Sequence, residues 1–465
     1  DMYTAVIAGT ISGLTADETT VLTDTGTAES AVAASALHTL KNTMDTLNAS
    51  DDDVATINAT TIGHITGTAQ NLTAVYLANE TGNISGLGNE AVYIVETIVG
   101  GGEGNGVSVA DANLINGYTT GAVTATIRET SMTTLANLTS ASTDAYSITV
   151  TGSADAGEVI TLEGKTSKKV TMTGVTTLTG TLAEVEGVYT LHDDEKINLS
   201  TSAAVTLSDT SITVAKANVI GGKTTGVLTA TISEGGVSDL LSLEDNSTDN
   251  AFSLVITDAT VQAAQLLTLD GITSGSINLG SATTMTGSLS NVNSVYSSAT
   301  FTNASGLAVT LSDTTVSDAG DLVTLNASTN GLITISGADL AITGTASELN
   351  ALYHTATNSE ITGIGGGDET LTLSGTTASA SHLNNINTAS SGTVNATAIT
   401  TITGSLSDVS TALSAGQAGT ISGLGTGLTG VTLSTGTIKA ADFNTAITRA
   451  DAINGDATTV FEMSA

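Results

Sequence analysis

Four aspartates stand in one recurring context. Asp24 sits in "LTDT", Asp209 and Asp313 in "LSDT", and Asp258 in the related "ITDAT". Carboxylates at equivalent places of a repeat serve one of two chemistries. An aspartate oxygen accepts hydrogen bonds from free backbone amides, so it caps helices and turns. Alternatively, carboxylates of neighbouring repeats converge on a hard cation such as Ca²⁺, which gathers about six to eight oxygen ligands. Capping is the expected role, and calcium held by Asp24, Asp209, Asp258 and Asp313 is the sharper alternative. The acidic runs Asp51–Asp53 and Asp193–Glu195 read as solvated loops that a cation could visit.

The other reactive side chains are sparse. No two of His38, His64, His192, His354 and His382 stand at metal-binding spacing. No local signature assembles a Ser-His-Asp set, and serine is too abundant here to be informative. The chain has no cysteine, which excludes disulfides, thiolate catalysis and Cys-ligated metal sites. These residues give no reason to expect an enzyme.

What must position the carboxylates is a repeat. "ITGTASELNALYHT" from Ile342 has counterparts in "ITGTAQNLTAVYL" from Ile65, "LTGTLAEVEGVYT" from Leu178, "MTGSLSNVNSVYS" from Met285 and "ITGSLSDVSTALS" from Ile402. Thr345 with Glu348, and Thr181 with Glu184, have capping-box spacing, and Ser405 with Asp408 approximates it. Leu349, Leu352 and Tyr353 then share one helical face, as do Val185, Val188 and Tyr189. This predicts short helices of about two turns. The Tyr could stack on sugars, but the apolar face already explains it as core. The preceding Gly implies a positive φ or a close backbone approach.

Strand signals alternate with these helices. "VTLSDT" at Val205 and Val309, "LTLSGT" at Leu371 and "VTLSTG" at Val431 alternate apolar and Thr positions, and both Val and Thr favour strands. The repeat glycines at 67, 180, 287, 344 and 404 are 113, 107, 57 and 60 residues apart. The unit is therefore about 57 residues, split into two strand–helix halves of about 28, within the range of stacked repeats. The sequence also lacks proline, which would interrupt a continuous hydrogen-bond ladder. The expectation is a mainly β protein: an elongated β-solenoid, with residues 1–465 forming one array without a capping domain.

The 465 residues are 12% charged and 3% aromatic, with a net charge of −35. Ten Lys and Arg against 45 Asp and Glu exclude phosphate-backbone recognition, so no nucleic-acid partner is expected. No run of apolar residues is long enough to span a membrane, so no membrane insertion is expected either.

"ITGTASELNALY", "VTLSDTTVSDAGDLVTLN" and "NGYTTGAVTATI" resemble the Thr- and Gly-rich repeats of very large secreted or cell-surface proteins of cyanobacteria and marine bacteria, a group that includes haemolysin-type calcium-binding proteins. The resemblance implies an extracellular, acidic, adhesive or structural protein. The calcium nonapeptide itself is not kept: "GIGGGDETL" from Gly363 and "GGEGNG" from Gly101 both depart from it.

One further match concerns partners. Ala8–Leu14, "AGTISGL", repeats Ala418–Leu424. The expected function is therefore an extracellular structural subunit that pairs head to tail with copies of itself into a filament, sheath or surface layer. The alternative is a calcium-dependent adhesin segment, with calcium as the only cofactor in view.

Overall fold

Each repeat opens on a strand, closes that strand at the conserved Gly, and starts a helix at the next Thr or Ser. The computed structural model describes residues 20–23, 31–48, 56–96, 105–140, 143–245, 250–336, 339–357, 360–364, 369–434, 436–455 and 458–464. Thr181 and Glu184 form a complete capping box at the helix Leu182–Asp193. At the helix Ala346–Thr357, the Thr345 amide donates to Glu348 (2.8 Å), and the Glu348 amide donates to Thr345 Oγ1 (3.2 Å). The expected helical faces are buried: Leu349, Leu352 and Tyr353 in one helix, Val185, Val188 and Tyr189 in the other.

The mainly β, β-solenoid expectation is corrected. The described residues form fifteen helices and are 36% helical against 28% strand. The fold is α/β, with several parallel sheets and helices between their strands. The error lies in element length. The helices expected at two turns run to 12 residues at Leu182–Asp193 and 13 at Leu406–Ala418. Many strands are only two to four residues long, such as Ile277–Asn278 and Ile361–Thr362.

Internal packing divides the chain into two compact units. The first comprises Asp1–Ile212, Lys216–Thr231 and Asn246–Thr248; the second comprises Thr213–Ala215, Ile232–Asp245 and Asp249–Ala465. In the first, His64–Gly67 pairs in parallel with Ala91–Ile94, and Val170–Gly180 with Ala204–Leu207. In the second, Thr284–Gly287, Ala308–Leu311 and Ile333–Ile335 are neighbours in one parallel sheet. Thr401–Gly404, Gly430–Leu433 and Val460–Met463 are neighbours in another. Register keeps like over like: Met285 pairs with Val309, Val309 with Ile333, and Ile402 with Val431, all buried. Alternate positions point away from this core and carry the threonines, as the two-residue period of a strand requires.

The conserved Gly is needed where one repeat meets the previous one. A Cβ on Gly344 would lie 2.6 Å from the Cβ of Ala319, the first residue of the preceding helix. The same glycine-on-alanine contact recurs for Gly67 on Ala34 and Gly287 on Ala263. At Gly344 the requirement is close approach rather than a positive φ. No helix among the described residues is long and apolar enough to cross a membrane.

Candidate functional site

A helix leaves its first amides without internal partners, and a nearby carboxylate satisfies them with a favourable charge–dipole interaction. Here that carboxylate comes from the following repeat. Asp209 Oδ2 accepts from the Leu182 amide at 2.5 Å, Asp258 Oδ2 from Val237 at 2.6 Å, and Asp313 Oδ2 from Leu289 at 2.8 Å. Each donor is the first residue of its helix. The capping role read from the sequence is the observed one, but the capped helix belongs to the repeat before. Asp24 lies outside the described residues.

Three glutamates perform the same task and were missed in the sequence. Glu96 accepts from the Ala69 amide (2.7 Å), Glu129 from Val109 (3.1 Å) and Glu234 from Val214 (3.0 Å). The signal was available. All six carboxylates follow an Ile or Leu by two positions, from Ile94-Val-Glu96 to Leu311-Ser-Asp313. Burial raises the Glu234 carboxyl, but hydrogen bonds from Ser233 and the Val214 amide outweigh it, and the group sits below the usual carboxylate range.

The three described aspartates of the calcium reading therefore serve three different helices, each with one oxygen on an amide. No three His, Asp or Glu side chains among the described residues come together in a group able to hold a metal ion.

Two further carboxylates are buried outright. Glu90 is 2% exposed. Its Oε1 accepts from the Tyr76 hydroxyl, and its Oε2 from the amides of Gly88 (2.8 Å) and Asn89 (3.1 Å). Tyr118 stacks on the Tyr76 ring at 5.1 Å. Glu369 repeats the arrangement, accepting from Tyr353 at 2.7 Å and Ser390 at 3.2 Å. Burial, then the adjacent glutamate, pushes the Tyr76 and Tyr353 phenols far up. Burial alone pushes Tyr189 up to about 12. These tyrosines stay protonated, which removes them as general bases at ordinary pH. The core role expected for the repeat tyrosine fits this burial; its hydrogen bond to a buried glutamate was not foreseen.

The histidines make no common centre. His64 stacks on Tyr93, and His192 Nδ1 accepts from the Leu199 amide at 3.1 Å. His354 is exposed, while His38 and His382 are partly exposed.

A different kind of site occurs at the strand Val460–Met463. Its Val460 amide donates to Thr429 O (3.0 Å) and its Ser464 amide to Leu433 O (2.7 Å). Alternation in a parallel strand turns the Phe461 and Met463 amides to the opposite edge. In register, Phe461 sits beside Val431 and Met463 beside Leu433. Val431 and Leu433 are each 1% exposed, whereas Met463 is 50% exposed. The core row thus continues onto a strand with no described neighbour on its far side. Phe461 packs edge-on against Phe443 of the helix Ala440–Asn454.

No family model matches the chain, and no curated protein matches it.

Proposed function

We propose that this is a structural rather than a catalytic protein, whose repeats associate end to end with copies of the same chain. The observation that carries the reading is the strand Val460–Met463. It presents core-row side chains, and amides with no partner among the described residues, in the same parallel register that joins the strands inside the second unit. An edge of this kind is a template for one more strand. A parallel edge of this kind makes a heterologous contact, which extends into linear assemblies unless its rotation closes a ring.

The test is Met463→Pro. Its amide faces away from Gly430–Leu433, so proline blocks a further strand without breaking an existing bond. Wild-type protein is expected to sediment as concentration-dependent oligomers, and Met463→Pro as a monomer with unchanged circular dichroism. A wild-type monomer at every concentration, or equal assembly of the variant, would overturn the proposal.

A further inference from the structure

A cleft of 680 Å³ lies between the helices Leu406–Ala418 and Ala440–Asn454. Its lining includes Ser407, Ser410, Thr437, Lys439, Asp442 and Arg449. Two of the ten basic residues of a chain with net charge −35 thus share one cavity. Arg449 Nη1 donates to Ser410 O at 3.0 Å and also to Ser410 Oγ, which fixes the guanidinium in place. Neither Lys439 nor Arg449 is ion-paired among the described residues. An arginine held by hydroxyl and carbonyl, with donors to spare and no carboxylate partner, is prepared for an anion.

A second observation says which anion. Leu406 is the first residue of its helix and also lines the cleft. At six helix starts the first amide is met by the carboxylate two positions after an Ile or Leu, as Leu182 is met by Asp209 and Leu289 by Asp313, whereas the helix at Ala346 is followed by Leu373-Ser374-Gly375 and lacks one too. After the helix at Leu406 the sequence reads Leu433-Ser434-Thr435. The internal carboxylate is left out where the chain has placed two cations. We propose that the cleft binds a hydroxylated carboxylate of sugar-acid size, a uronic acid being the class. Its carboxylate takes the place of the missing aspartate, near Arg449 and Lys439. Ser407, Ser410 and Thr437 supply hydroxyl partners. The single acidic residue, Asp442, accepts from a sugar hydroxyl and disfavours ligands with more than one negative charge. The volume lies within the range of small-molecule sites.

The test is calorimetric titration of the full chain with galacturonate and, at matched ionic strength, galactose. Galacturonate is expected to bind and galactose not. Arg449→Gln should weaken galacturonate binding at least tenfold. Lys439→Gln should weaken it as well. Met463→Pro should bind as wild type, so the site is judged separately from assembly. No heat with galacturonate, equal binding of galactose, or full affinity in both Arg449→Gln and Lys439→Gln would overturn the assignment.

Discussion

The helix at Leu182, in the first unit, and the helix at Leu406, in the second, descend from one sequence pattern but are finished differently. At Leu182 the start is closed: Thr181 and Glu184 cap each other, Asp209 holds the first amide, and Gly180 leaves only 3.0 Å between its absent Cβ and Ala156. At Leu406 the box is Ser405 with Asp408, no carboxylate among the described residues of the next repeat meets the amide, and the same gap to Ala380 is 3.4 Å. The buried Tyr189 of the first is the buried Leu413 of the second. Acidic residues in this protein are therefore structural ligands first. At Leu406, where none is supplied, a cleft lies beside the helix.

The most forceful way to break this comparison is at the glycines. Gly180→Val adds bulk at 3.0 Å from Ala156 and 3.2 Å from Glu184, on a backbone with φ 153°. Overpacking and backbone strain each cost roughly 1–3 kcal/mol. Gly404→Val meets the strain, at φ 145°, with less crowding. Urea titrations should show Gly180→Val losing about twice as much stability. Equal losses would mean that the tighter Gly–Ala contact contributes nothing.

Next in size is the carboxylate itself. Asp209→Ala removes the partner of the Leu182 amide and should cost about 1 kcal/mol, the usual worth of a cap. Added Ca²⁺ at fixed ionic strength should leave the wild-type melting temperature unchanged, although NaCl should raise it by screening self-repulsion. A calcium-specific rise that disappears in Asp209→Ala would turn this cap into a metal ligand.

The smallest effect concerns acid. The Thr181 amide and hydroxyl hold the exposed Glu184 carboxyl below its usual range. A carboxyl depressed on folding adds stability above its unfolded pKa and loses it as pH falls through the folded value. Thr181→Ala removes the hydroxyl but keeps the amide, so it should move the Glu184 titration, followed by NMR, part of the way back towards the ordinary carboxylate range. It should also flatten the loss of stability below about pH 4. An unmoved titration would show that the amide alone, and not the hydroxyl, depresses Glu184.

Legibility in the sequence followed distance along the chain. The capping boxes at Thr181 and Thr345 were readable because both partners lie within one helical turn, and so were the buried faces of Leu349 and Val185. The roles of Asp209 and Asp313 were only half readable. Their type announced a cap, but the helix they cap lies one repeat away, and stacking alone brings it near. Glu90 and Glu369 were missed because nothing local distinguishes a buried glutamate from a solvated one until Tyr76 or Tyr353 is placed beside it. The fold class failed on balance rather than on pattern. Thr-rich strands dominate the text of the sequence, yet Ala-, Leu- and Asn-bearing segments run on for three turns once capped.

Cross-repeat capping also restricts how such a chain can change in length. Asp209 completes the helix at Leu182, and Asp313 the helix at Leu289. A deletion ending between a helix and its carboxylate strands the helix it leaves behind, and a small insertion carries the carboxylate out of reach. Only additions or losses of a whole repeat keep each capped helix start with its supplier. The heritable unit of growth here is the module, joined in frame at its glycine.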